Sequence, residues 1–99
     1  MSRPYYADFV KHCMHFYARY TQKPTFKTDA DKNNWTACDL SLKGYSDTDR
    51  AILLDVYGSY DTIGDAVYEA AKKHNIDQNI IWDMMKVFER KVAKKRGLM

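Results

Sequence analysis

Two prolines, four glycines and two cysteines are all that 99 residues hold of these types, and each scarcity excludes something. With so little proline and glycine there is no room for long linkers or low-complexity tracts, and no internal repeat is visible. Two cysteines cannot build a disulfide-rich scaffold, and both lie among helix-like apolar positions, where free thiols behave as small hydrophobes in a reducing compartment. No apolar run approaches the length of a membrane span. The opening MSRPYYADFVKHCMHFY is broken by charges and histidines, so it lacks the continuous apolar stretch of a signal peptide. The expectation is a cytoplasmic protein without membrane association.

Recognisable catalytic motifs are missing too. There is no phosphate-cradling glycine loop, no G-x-S-x-G and no H-E-x-x-H, so no enzyme activity, catalytic residue or cofactor is expected. DADKNN (residues 29–34) starts like a calcium loop, but Asn34 stands where glycine is needed and Leu40 where a bidentate glutamate is needed. His12, Cys13, His15 and Cys38 could nominally supply four zinc ligands. Cys13 shares its stripe with Phe9 and Phe16, however, and no paired C-x₂-C element exists. No metal site is expected.

What is present is helical periodicity and 45% apolar content, which suit one all-α domain, 1–99, with a single core. Tyr6, Phe9, Val10, Cys13, Phe16, Tyr17 and Tyr20 recur at spacings of three and four and predict a first helix over roughly residues 4–20, with Pro4 near its first turn. A loop around Pro24 follows. Thr28 or Asp29 then caps a second helix carrying Ala30, Trp35, Cys38 and Leu42 and ending near Gly44. Ser46, with Asp49 three residues on, resembles a capping box opening a third helix whose buried stripe is Ile52, Leu53, Val56 and Tyr57. Asp61 or Thr62 caps a fourth helix carrying Val67, Ala70 and Ala71. Asp77 caps the fifth, with Ile81, Met84 or Met85, Phe88 and Val92 on its stripe, and Gly97 stops it. Residues 1–45 read as an aromatic-rich helical hairpin and 46–99 as the unit that carries the basic last helix.

The short break between the fourth and fifth helices, AAKKHNIDQNIIWDMM (70–85), fits a helix-turn-helix. Ala71 supplies the small contact, Asn75 a bend tolerant of positive φ, and Ile76 a plug for the core, while Ile81 and Met84 face back toward the preceding helix. Gln78 and Asn79 then open the second helix as amides that can pair with adenine N6 and N7 in a major groove. Asn79, Asp83, Lys86 and Arg90 share a face away from the Ile81–Phe88 stripe. Asp77 and Asp83 count against this reading, since an acid near phosphates is unfavourable unless Asp77 acts as a cap and Asp83 accepts from a cytosine N4 amine.

Charge is distributed unevenly. Over residues 86–99 six basic side chains (Lys86, Arg90, Lys91, Lys94, Lys95, Arg96) oppose Glu89, giving +5, while ten basic and twelve acidic residues elsewhere give −2. A basic end on a mildly acidic body suits a nucleic acid, with Lys72, Lys73, Lys94 and Lys95 within reach of phosphates. The plainer reading is a solvated helix end favoured by the macrodipole.

Residues 46–97, with SDTDRAILLDVY followed by TIGDAVYEAAKKHNIDQNIIWDMMKVFERKVAKKRGL, resemble the fourth region of bacterial sigma factors and small phage transcriptional regulators of the RinA and ArpU kind. The resemblance covers roughly half the chain. It implies a small five-helix bundle with a C-terminal helix-turn-helix, a DNA-binding regulator of phage or prophage type, and a recognition helix over 77–96. By position it makes Lys72, Lys73, Gln78, Asn79, Trp82 and Lys86 the DNA-proximal residues. The chain departs from the family pattern at Asn75 in place of glycine, Asp77 in place of serine or threonine, and Gly64 early in the scaffold helix. Trp82, read from its apolar area alone, packs against the N-terminal helices instead.

A second reading is a protein-interaction module that binds RNA polymerase or another phage protein and uses the helical pair only as scaffold. That reading requires apolar area on Tyr5, Tyr6, Phe16 or Trp82 to remain exposed.

Overall fold

Side-chain oxygens open four of the five helices. The computed structural model describes residues 4–19 and 25–98, and these form α1 (Ala7–Arg19), α2 (Asp29–Leu42), α3 (Asp47–Tyr57), α4 (Ile63–His74) and α5 (Gln78–Lys95), with no strand among them. Thr28 Oγ1 accepts the Asp31 N–H at 3.1 Å, Ser46 Oγ the Asp49 N–H at 3.1 Å, Thr62 Oγ1 the Asp65 N–H at 3.4 Å and Asp77 Oδ1 the Asn79 N–H at 2.7 Å. Each bond satisfies one of the orphan donors of a first turn. Asp29 and Asp31, part of the calcium-like DADKNN, thus stand in the first turn of α2, where the positive end of the helix dipole favours acids.

Two expectations need correction, and one alternative left open is resolved. Helix α1 begins at Ala7 and not at Pro4, because residues 4–7 form a turn closed by the Ala7 N–H on the Pro4 carbonyl. Ala30 is exposed, since the first turn of α2 projects past the core that Trp35, Cys38 and Leu42 enter. On α5 Met85, 1% exposed, takes the core position and Met84 is only half-buried. Tyr20 and Pro24 lie outside the described residues.

The core draws on all five helices. Val10, Cys13 and Met14 of α1 meet Cys38 and Leu42 of α2, Leu53 and Val56 of α3, Val67 of α4, and Ile81, Phe88 and Val92 of α5, all essentially sealed from solvent. Helix α5 packs against each of the other four, and α3 packs on both α1 and α4. The Tyr17 hydroxyl donates to Asp39 Oδ1 at 2.9 Å, tying α1 to α2, and its ring lies 5.2 Å from that of Trp35. Burial, together with that carboxylate, pushes the Tyr17 hydroxyl up to about 12.

Across the middle of the core the Tyr57 hydroxyl of α3 donates to Glu89 Oε2 of α5 at 2.6 Å, with Glu89 only 2% exposed. A carboxyl group in such a place is tolerable only with hydrogen-bonded partners. Cys13 and Cys38 are free and buried; desolvation raises Cys13 to about 11 and raises Cys38 further. No helix among the described residues is long and apolar enough to cross a membrane.

Two outcomes follow. Tyr57→Phe removes a donor from the buried Glu89 carboxyl and should lower unfolding free energy by about 1–3 kcal/mol in urea titrations; an unchanged midpoint would mean the bond contributes nothing. Native thiols should react slowly with an aromatic disulfide reagent at mildly alkaline pH, because the raised values keep them protonated, and both should react at once in denaturant.

Candidate nucleic-acid interface

The corner between α4 and α5 is built by three residues. Asn75 adopts the left-handed conformation, φ 56° and ψ 50°, as the only non-glycine residue with positive φ among those described. Its N–H donates to Lys72 O at 3.3 Å, and the next N–H, of Ile76, donates to Ala71 O at 3.1 Å. This paired arrangement is a Schellman cap, in which a left-handed residue lets the chain turn back and satisfy the last carbonyls of the helix. Asparagine meets the backbone requirement usually met by glycine. Ala71 is 7% exposed, so its small side chain is buried on the α4 turn that carries the cap. Ile76 is packed against the core but only half-buried, which corrects the expectation of a full plug: it borders a cleft shared with Tyr68, Ala71, Asp77 and Gln78.

The end of α4 is also tied to α3. Asp55 Oδ2 lies 2.7 Å from His74 Nε2 and 3.1 Å from Lys73 Nζ. Lys73 is therefore directed toward α3, its charge balanced by a carboxylate. Lys72 lies over the Tyr68 ring, 5.4 Å from its centroid, and borders the same cleft as Gln78 and Asn79.

Helix α5 divides into two faces. Ile81, Met85, Phe88, Glu89 and Val92 face the core. Gln78, Asn79, Asp83, Lys86, Arg90, Lys94 and Lys95 are all exposed. At 100° per residue, Asn79, Asp83, Lys86, Arg90 and Lys94 lie within one broad outward sector. Asp77 is engaged as the cap, its carboxylate turned to the Asn79 N–H. Not all of the terminal basic charge belongs to this sector. Lys91 Nζ lies 4.5 Å from the centroid of the Tyr45 ring, and Arg96 Nε donates to Asn34 Oδ1 of α2 at 2.6 Å.

Trp82 is half-buried and lines a cleft of about 370 Å³ with Pro4, Asn79, Met85, Lys86 and Glu89. It stands beside the first described residue and off the centre of the outward sector. Around the N-terminal aromatics Tyr5 is 79% exposed, while Tyr6 is buried at 7% and Phe16 is half-buried. Tyr6 is buried, as its place on the first apolar stripe predicts: its ring packs edge-on against Tyr5, centroids 5.5 Å apart, and into the core, so it is not available to the interaction reading. Among the described residues no group of His, Cys, Asp or Glu side chains is placed to hold a metal ion.

Sequence reasoning missed two features of α5. Glu89, counted as one charge in a basic tail, is buried; its position one residue after Phe88 and three before Val92 puts it at the edge of the apolar stripe, and that adjacency was the available signal. Ile80 and Val87 are exposed at 54% and 53%, which their apolar chemistry concealed. Comparison with protein families, with curated proteins and with solved structures finds no match for this chain.

The corner's dependence on left-handed backbone gives a direct check. Asn75→Gly should leave the thermal midpoint equal or higher, whereas Asn75→Val should cost about 1–2 kcal/mol, the penalty of forcing a β-branched residue into that region. Equal tolerance of both substitutions would contradict the cap.

Proposed function

We propose that α4, the turn at 75–77 and α5 act as a helix-turn-helix, and that the protein is a DNA-binding transcriptional regulator of the phage or prophage type that the sigma-like resemblance implies. The observation that carries the reading is the two-sided character of α5. One face is held in the core, and the other offers Asn79 at its start, then Lys86, Arg90 and Lys94, while Gln78 is exposed at the first position of the helix on the line of Met85. A recognition helix needs this division: base-reading side chains near its N-terminus, cations further along, and a back face locked to a scaffold.

Three further features support it. Helix α3 packs on both α4 and α5, as the supporting helix of a three-helix DNA-binding unit must. The Asp77 carboxylate accepts from its own helix, so it need not oppose a phosphate. Lys72 flanks the start of α5 across a shared cleft, where a backbone contact would fix the register of the helix in the groove. Asp83 is then the acceptor for a cytosine N4 amine. The alternative, a protein-interaction module, keeps the exposed Tyr5 and the half-buried Phe16 and Trp82 as its support; of the residues it requires, only Tyr6 is covered.

Lys72, Lys86, Arg90, Lys94 and Lys95 make five candidate phosphate contacts. Fluorescence anisotropy with labelled duplex DNA should therefore give a log–log salt slope of about −4 to −5. Lys94→Ala should weaken every sequence about equally and reduce that slope by about one, while Asn79→Ala should flatten sequence preference with the slope unchanged. A salt-independent signal, or no binding at low salt, would refute the assignment.

A further inference from the structure

Single exposed aliphatic side chains are ordinary on protein surfaces. Ile80 and Val87 differ in their placement. They are seven residues apart, hence two helical turns apart on nearly one line of α5, and are exposed at 54% and 53%. That line adjoins the outward sector carrying Asn79, Asp83, Arg90 and Lys94, all exposed. An apolar line beside a row of cations fits a surface that is apolar in places and anionic at its margins. The major groove of DNA is such a surface: the thymine C5-methyl is its only aliphatic group, and phosphates border it.

Resting on the DNA-binding reading, we propose that Ile80 and Val87 determine specificity by packing against thymine methyl groups in the major groove. Seven residues of helix advance about 10 Å, and base pairs succeed one another every ~3.4 Å. The two side chains therefore reach thymines about three base-pair steps apart. Asn79 lies next to Ile80 in the first turn and reads an adjacent adenine. The preferred site is thus rich in A·T pairs where the start of α5 enters.

The experiment selects tight-binding duplexes from a random-sequence library and then replaces each thymine singly with deoxyuridine, which deletes only the methyl group. The expected result is two sensitive positions about three steps apart, each losing about fourfold in affinity, the equivalent of burying one methyl. Ile80→Ala should abolish the thymine preference at one of these positions and Val87→Ala at the other, with thermal melts unchanged because both side chains are exposed. Duplex binding that is indifferent to deoxyuridine, or a thymine preference that survives in both variants, would overturn this inference and leave DNA binding intact; a protein partner for the apolar line would give that second result. Failure of the chain to bind duplex DNA at all would overturn both.

Discussion

The hydrogen bond from Tyr57 to Glu89 fixes how α5 is turned, and most of what the molecule can present follows from that. A carboxyl group 2% exposed that accepts from the Tyr57 hydroxyl at 2.6 Å cannot move to another core position without losing that bond. Rotating α5 by a single residue would carry Arg90 toward the core and Phe88 toward solvent, and both changes are unfavourable. The bond therefore selects one rotation from the several that an amphipathic helix with a broad stripe could adopt. The outward sector of Asn79, Asp83, Lys86, Arg90 and Lys94 is the complement of that choice.

The corner sets the direction of α5 as the buried bond sets its rotation. Two N–H groups of the turn close onto Ala71 and Lys72, and the Asp77 cap opens α5 directly after it, so the chain leaves α4 in one defined direction. Asp55 adds a tie from α3 to His74 and Lys73. The second tie leaves Lys73 exposed but pairs its charge with a carboxylate, which makes the uncompensated cationic surface at this corner depend more on Lys72.

Much of this was legible in the sequence, for reasons that are local. Ser46, Thr62 and Asp77 announce helix starts because a short oxygen-bearing side chain can satisfy a first-turn donor wherever it occurs. The stripe Ile52, Leu53, Val56 and Tyr57 reads as buried because helical geometry leaves those positions on one face. Asn75 reads as a corner because few residues adopt left-handed backbone. What escaped depends on contacts distant in the chain. Tyr57 and Glu89 are 32 residues apart, and although the place of Glu89 at the edge of the apolar stripe hints at burial, nothing local names its partner. Asp55 gives no sign that it will hold Lys73. Ile80 is apolar in a place where only the orientation of the whole helix leaves it exposed. As for the candidate site, its residue types were readable, and their grouping into one sector was partly so, whereas the pairing of Lys73 with Asp55 and the engagement of Lys91 and Arg96 by Tyr45 and Asn34 were not.

The most direct test of the central claim, that the outward sector of α5 is where duplex DNA docks, is a map of backbone amide shifts in the ¹⁵N-labelled protein as a duplex is added. If the claim holds, perturbations should concentrate at Lys72, Asn79, Asp83, Lys86 and Arg90, with α1 and α2 nearly silent. Perturbations centred on Tyr5 and the exposed residues of α1, with the outward sector of α5 unmoved, would contradict it.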